Sequence, residues 1–146
     1  MVRPFAAIVS TMTRFTRLWN GSDTQERRLK NVYRMVKCME LLEYKGRTYS
    51  IICPKTAADV LDEAQQQSNC VASYVSKIIN GECMILFCRR TDAPEVSLVT
   101  VEITADGRLG QVKARFNRAP DPEVREFVDS WYNKIVLTSG LWPQAA

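Results

Sequence analysis

The chain has 146 residues, 46% apolar and 25% charged, with a formal net charge of +4 and no histidine. This is the composition of one ordinary globular domain with a sizeable core, and no apolar run approaches the ~20 residues of a membrane-spanning helix. Without histidine, Ser-His and Cys-His nucleophile activation and every histidine metal ligand are excluded.

The five cysteines (Cys38, Cys53, Cys70, Cys83, Cys88) contain no C-x-x-C pair and sit among apolar residues. Buried free thiols are expected, with neither disulfides nor a metal site. The charge is unevenly spread. Residues 1–47 carry ten Lys/Arg against Asp23, Glu26, Glu40 and Glu43, a surplus of six, which leaves the rest at −2. A basic amino-terminal third points to an anionic partner, either nucleic acid or an acidic protein surface. The opening MVRPFAAIVSTMTRF has no small-residue cleavage site, so the expected localisation is cytoplasmic.

In chain order, Phe5, Ile8, Val9, Met12, Phe15 and Leu18 recur at helical spacing after Pro4, and Asn20-Gly21 stops this first helix. Asp23 with Glu26 reads as a capping box for a second helix running to about Glu43, its inner face formed by Leu29, Val32, Val36, Met39 and Leu42. Arg27, Lys30, Arg34 and Lys37 form a basic stripe on the opposite face. Residues 1–46 thus read as a basic helical hairpin ended by Gly46. A strand over 47–53 follows, closed by Pro54, and Thr56 caps a helix from Ala57 to about Gln65. Gln65 to Ser68 reads as a polar break, and Cys70 to Ile79 as a short helix ended by Asn80-Gly81.

Cys83 to Cys88 is apolar without alternation, which predicts a strand covered on both faces, over 83–89. Strands over 96–104 and 108–116 complete a meander through Asp106-Gly107. A two-residue loop there sets Glu102 opposite Gln111, Val101 opposite Val112, Thr100 opposite Lys113 and Val99 opposite Ala114. One face then reads Val99, Val101, Ile103, Val112, Ala114, Phe116, and the other Thr100, Glu102, Gln111, Lys113, Arg115. Asp121-Pro122 opens a last helix with Val124, Phe127, Val128, Trp131 and Ile135 turned inward, and 137–146 is an irregular tail. The expected class is α+β: an antiparallel sheet of three to four strands packed on helices, with 47–136 as the core of a single domain spanning 1–146.

The segments ICPKTAADVLDEA, NCVASYV, GECMILFCRR, LVTVEI, GQVKARFN and FVDSWYNK, from residue 49 to 131, resemble the PcfJ-like family of conjugative plasmids, phages and other bacterial mobile elements. Its members typically show His-Cys-Val followed by Tyr, an apolar strand ending in Arg, a Thr-x-Glu, and a Gln followed by Asn. In this chain those positions are Cys70, Val71, Tyr74, Arg89, Thr100, Glu102, Gln111 and Asn117. Asn69 stands where the family usually has His, and Ala114 where Gly is often found between the Gln and the Asn. The resemblance implies a setting in plasmid transfer or mobile-element DNA processing.

Two functional readings stay open. In one, the chain is an accessory module that binds nucleic acid or a nucleoprotein complex through Arg27, Lys30, Arg34 and Lys37; a phage-type inhibitor of a host defence complex is a variant of it. In the other, a cleft between Asn69–Tyr74 and the polar hairpin face makes an enzyme acting on a nucleotide or nucleic acid. Glu102 would then be a general base or a ligand for a cationic group, Thr100 and Gln111 its orienting groups, Tyr74 a further catalytic side chain, and Lys113 or Arg115 the anion-holding group. Arg89 and Asn117 would border that cleft. Exposed, the same residues are simply the wet side of a sheet, and Arg89 is expected to end its strand in solvent or to pair with Glu95. No cofactor is called for.

Overall fold

The computed structural model describes residues 36–68 and 74–142. The amino-terminal hairpin therefore lies almost wholly outside the described residues, apart from the end of its second helix, α1 (36–41). The remaining elements are β1 (Tyr44–Lys45), β2 (Tyr49–Ile52), α2 (Ala57–Gln67), α3 (Tyr74–Ile79), β3 (Cys83–Arg90), β4 (Val99–Thr104), β5 (Leu109–Lys113) and α4 (Pro122–Trp131). The class is α+β, and all five strands form one antiparallel sheet in chain order.

That is one strand more than the three to four expected. The helix assigned to about Glu43 stops at 41, and Tyr44 and Lys45 pair with Ile51 and Ser50. Gly46 is the turn of this small hairpin, donating its N–H to the Tyr49 carbonyl at 3.0 Å. Glu43 is held out of the helix by its partners. It accepts the Cys53 N–H at 3.0 Å and the Lys55 ammonium at 3.2 Å.

Both faces of the central strand are covered, as its unbroken apolar run predicted; every residue from Cys83 to Arg89 is buried. On one face lie α1 and α4. The Trp131 indole donates to the Leu42 carbonyl at 2.8 Å, and the Phe127 ring packs 5.4 Å from that of Tyr49. On the other lie α2 and α3, with Glu63 of α2 reaching Arg89 and Thr100, and Tyr74 of α3 reaching Gln111. Val36, Met39, Leu42, Val124 and Val128 fill the first interface, and Val60, Val75, Ile78 and Ile85 belong to the second.

Helix α2 carries the predicted Thr56 cap as a full capping box with Asp59. It does not break at Gln65. Gln67 is buried inside the last turn, and the helix ends only at Ser68, in the left-handed conformation (φ 50°). The last helix follows its expected stripe and continues from Tyr132 to Val136 as one wider π-helical turn.

The hairpin tip corrects the expected loop. Ala105, Asp106 and Gly107 form a three-residue loop, with paired Thr104 N–H and Arg108 C=O at 2.9 Å. Gly107 takes φ +85°, and a Cβ there would lie 2.5 Å from the Trp142 ring, so both conformation and packing require glycine. This loop sets Ile103 opposite Leu109, one residue off the predicted register, and a bulge in β5 then restores it. Val101 faces Val112 and Thr100 faces Lys113, as predicted. The last strand ends at Lys113 and not at Phe116, so the expected Val99–Ala114 pair is not made; the Ala114 N–H bonds to Arg118 O at 2.8 Å instead. Strand β4 likewise begins at Val99, after a loop, and not at Val96.

Candidate functional site

Charged and polar side chains gather in three places on and beside the α2/α3 face of the sheet. The first is buried. Glu63, at 0% exposure, accepts the Arg89 guanidinium on one carboxylate oxygen at 2.8 Å and the Thr100 hydroxyl on the other at 2.6 Å. Arg89, 6% exposed, also donates to the Pro94 carbonyl at 2.7 Å, and its guanidinium lies 5.0 Å from the Phe87 ring centre. Gln67 donates to the Ser97 hydroxyl, and the Ser97 N–H is received by Gln66 at 2.8 Å. These bonds tie the 91–98 loop to α2. Arg89 thus neither ends in solvent nor pairs with Glu95, because Glu63 meets it inside. A carboxylate with both oxygens in use, out of contact with water, is built for holding the fold.

The second group lies at the bulge. Glu102 accepts the Gln111 backbone N–H at 3.1 Å, a donor that the bulge removes from the strand ladder. Its carboxylate sits where a side chain on residue 110 would be: a Cβ on Gly110 would come within 2.4 Å of Glu102 Oε1. Glu102 is therefore a latch across the bulge. The Tyr74 hydroxyl stands 3.5 Å from the Gln111 side-chain oxygen, and the Lys77 ammonium 4.5 Å from the Tyr74 ring centre. Below it, burial foremost and then the Glu102 charge push the Cys83 thiol up to about 12.

The third group is the turn that follows β5, Arg115–Asn117. Phe116 (φ 60°, ψ 31°) and Asn117 (φ 59°) are both left-handed without being glycine. At Phe116 this costs on the order of 1–2 kcal/mol in backbone strain, whereas Asn takes the left-handed conformation more readily. The turn is closed by its own backbone, with Ala114 N–H to Arg118 O at 2.8 Å and Arg118 N–H to Arg115 O at 3.3 Å. Phe116, expected on the apolar face, is 55% exposed instead. The Arg115 and Arg118 guanidiniums lie 5.0 and 5.7 Å from its ring centre. Neither forms an ion pair among the described residues, whereas Arg89, Arg90, Arg108 and Arg125 each hold a carboxylate.

The sequence profile of PcfJ-like proteins matches residues 18–128, about three quarters of the chain. The chain belongs to the PcfJ-like protein family. The match starts well ahead of residue 49, taking in the whole of the second predicted helix. No curated protein and no solved structure matches the chain.

The positions carrying the PcfJ-like resemblance separate by role. Arg89 and Thr100 are bound to Glu63 within the protein. Glu102, Gln111 and Tyr74 do come together, in one contiguous row, but on a surface, with Gln111 exposed. Two clefts among the described residues are lined by other side chains: one by Met84, Leu141 and Trp142, the other by Tyr44, Ile52 and Thr91. Asn117 belongs to the strained turn, and Lys113 stands opposite Thr100, half-buried. Asn69, Arg27, Lys30 and Arg34 lie outside the described residues, and Lys37 is half-buried on α1.

Glu63, Phe116 and Arg118 were not singled out from the sequence. For Glu63 a signal exists: Ala57, Val60, Ala64 and Gln67 recur at the spacing of one helix face, and Glu63 falls on it. Phe116 carries no such signal, since the strand pattern assigned it to the core.

Proposed function

We propose that this PcfJ-like chain is a nucleic-acid-binding accessory module of a bacterial mobile element, acting without chemistry of its own. The observation that carries this reading is the set of cations at the end of β5, where Arg115 and Arg118 face outward without a carboxylate partner among the described residues. Residues 109–120 contain Lys113, Arg115 and Arg118 and no acid, and the sequence stripe of Arg27, Lys30, Arg34 and Lys37 adds further positive charge. Phosphates are the natural counter-charge for such a surface, and binding driven by them weakens linearly on a logarithmic salt scale. Inhibition of a host nucleoprotein defence complex is a variant of the same activity.

The test is titration of labelled DNA and RNA with the full chain at several salt concentrations. Charge reversal at Arg27, Lys30 and Arg34, or at Arg115 and Arg118, is expected to weaken binding, and Glu102→Ala to retain it. Salt-insensitive binding, or none to any nucleic acid, would sink the proposal. One observation favours the second reading, an enzyme: Tyr74, Gln111 and Glu102 form one polar row. That reading requires Glu102→Gln to abolish turnover of a nucleotide or nucleic-acid substrate while leaving thermal stability nearly unchanged.

A further inference from the structure

We propose that Phe116 is a stacking platform for an unpaired base of single-stranded nucleic acid, with Arg115 and Arg118 holding the phosphates on either side. The inference rests on the nucleic-acid reading above and adds to it the strandedness of the ligand and the residue that reads it.

The backbone is the first argument. A continued strand would have carried Phe116 to the apolar side, in step with Val112 and Ala114. The chain instead takes two left-handed residues in a row, and the Ala114–Arg118 and Arg118–Arg115 backbone bonds hold it there. The result is a large ring turned to water at 55% exposure, while Phe87 is buried and Phe127 packs on Tyr49. The second argument is the ring's company. Two guanidiniums lie against it at 5.0 and 5.7 Å, and neither is committed to a carboxylate among the described residues. An exposed ring that stacks a base and arginines beside it that add cation–π attraction and meet the backbone are the two parts of a single-strand site. The third is chemical selectivity. Bases inside a duplex already stack on both sides, so only an unpaired base offers its face to Phe116. An acidic peptide would engage the arginines but has no planar group to lay on the ring.

The experiment uses the full chain and fluorescein-labelled oligothymidylate and oligouridylate of about 16 nucleotides, with a duplex of the same length, read by anisotropy across a salt series. Phe116→Ala is expected to weaken single-strand binding roughly ten- to hundredfold, and to change duplex binding by less than about threefold. Its thermal midpoint should match the wild type, because the ring is exposed. Phe116→Trp should keep the affinity and show its added indole emission quenched by the oligonucleotide. Replacing Arg115 and Arg118 together by Gln should lower the single-strand salt slope by about 1.4. The relative response of the DNA and RNA oligomers assigns the sugar. Unchanged single-strand affinity in Phe116→Ala overturns the inference alone, as does an equal loss on duplex or an unquenched Phe116→Trp. A wild-type chain that binds polyglutamate through Phe116 and no oligonucleotide overturns the nucleic-acid reading as well.

Discussion

Arg89 and Thr100 carry the family resemblance yet are enclosed with Glu63, which makes their removal a test of whether they hold the fold or a ligand. Arg89→Met leaves the Glu63 carboxylate at 0% exposure with only the Thr100 hydroxyl as donor. Removing one partner of a buried pair costs about 3–5 kcal/mol, most of it from the charge left behind. For a chain of this length each kcal/mol moves the midpoint by roughly 3 °C, so a loss of about 10–15 °C is expected in thermal unfolding followed by circular dichroism. The triple variant Glu63→Leu, Arg89→Met, Thr100→Val removes every charge and the hydroxyl that faces them. Apolar replacement of a buried pair is commonly neutral or better, so most of the lost stability should return. Arg89→Met costing less than about 1 kcal/mol would refute this reasoning. So would a triple variant no more stable than the worst single one.

At the bulge, Gly110→Ala should cost about 1–2 kcal/mol in urea unfolding, because its Cβ would fall 2.4 Å from Glu102 Oε1, and clearly less in a Glu102→Ala background. Independent costs in the two backgrounds would remove the latch from the account. Trp131→Phe should cost about 1–3 kcal/mol, since the buried indole N–H holds the Leu42 carbonyl at 2.8 Å; a change within experimental error would mean that carbonyl finds another donor. Burial raises the thiols of Cys53, Cys83 and Cys88 from 9.0 to about 12, so alkylating reagents at about pH 8 should leave all three unmodified in the native protein. Their contribution to stability is fully present below pH 9.0 and is lost as pH rises toward 12, where the unfolded thiols ionise first, at up to about 1.4 kcal/mol per pH unit for each thiol. Flat stability across that range would contradict the assigned burial.

Much of the architecture was legible because it follows from periodicity. The unbroken run Cys83–Cys88 announced a strand covered on both faces, and the Val124–Val128–Trp131 stripe a helix lying on the sheet. The outer hairpin register was also readable, although for an incomplete reason. The real loop is one residue longer than Asp106-Gly107, and the bulge at Gly110 cancels the offset. Neither correction has a signature in hydrophobic pattern alone, since a bulge is set by where a side chain such as Glu102 must go. Strand β1 was missed because two exposed residues after a helix carry no alternation to count. The site was harder still. Glu63 looks like an ordinary helix acid until Arg89 is found across the interface, a pairing between residues 26 positions apart. Phe116 was misplaced because a bulky residue in the left-handed conformation runs against local preference, and the Asn117 beside it, a residue that adopts that conformation readily, was the one local sign of the turn.

The central claim is that this chain works through its cations and not through the Glu102 row. It is tested most directly by the salt dependence of nucleic-acid binding, measured in parallel on wild type, Glu102→Gln and the Arg115→Gln, Arg118→Gln double variant. The account predicts a linear fall of log affinity with log salt in the wild type. Glu102→Gln should superimpose on that line, because an amide oxygen still accepts the Gln111 N–H, and the double arginine variant should bind weakly with a shallower slope. Full binding by the arginine variant together with loss in Glu102→Gln would contradict it and move the function to Tyr74, Gln111 and Glu102.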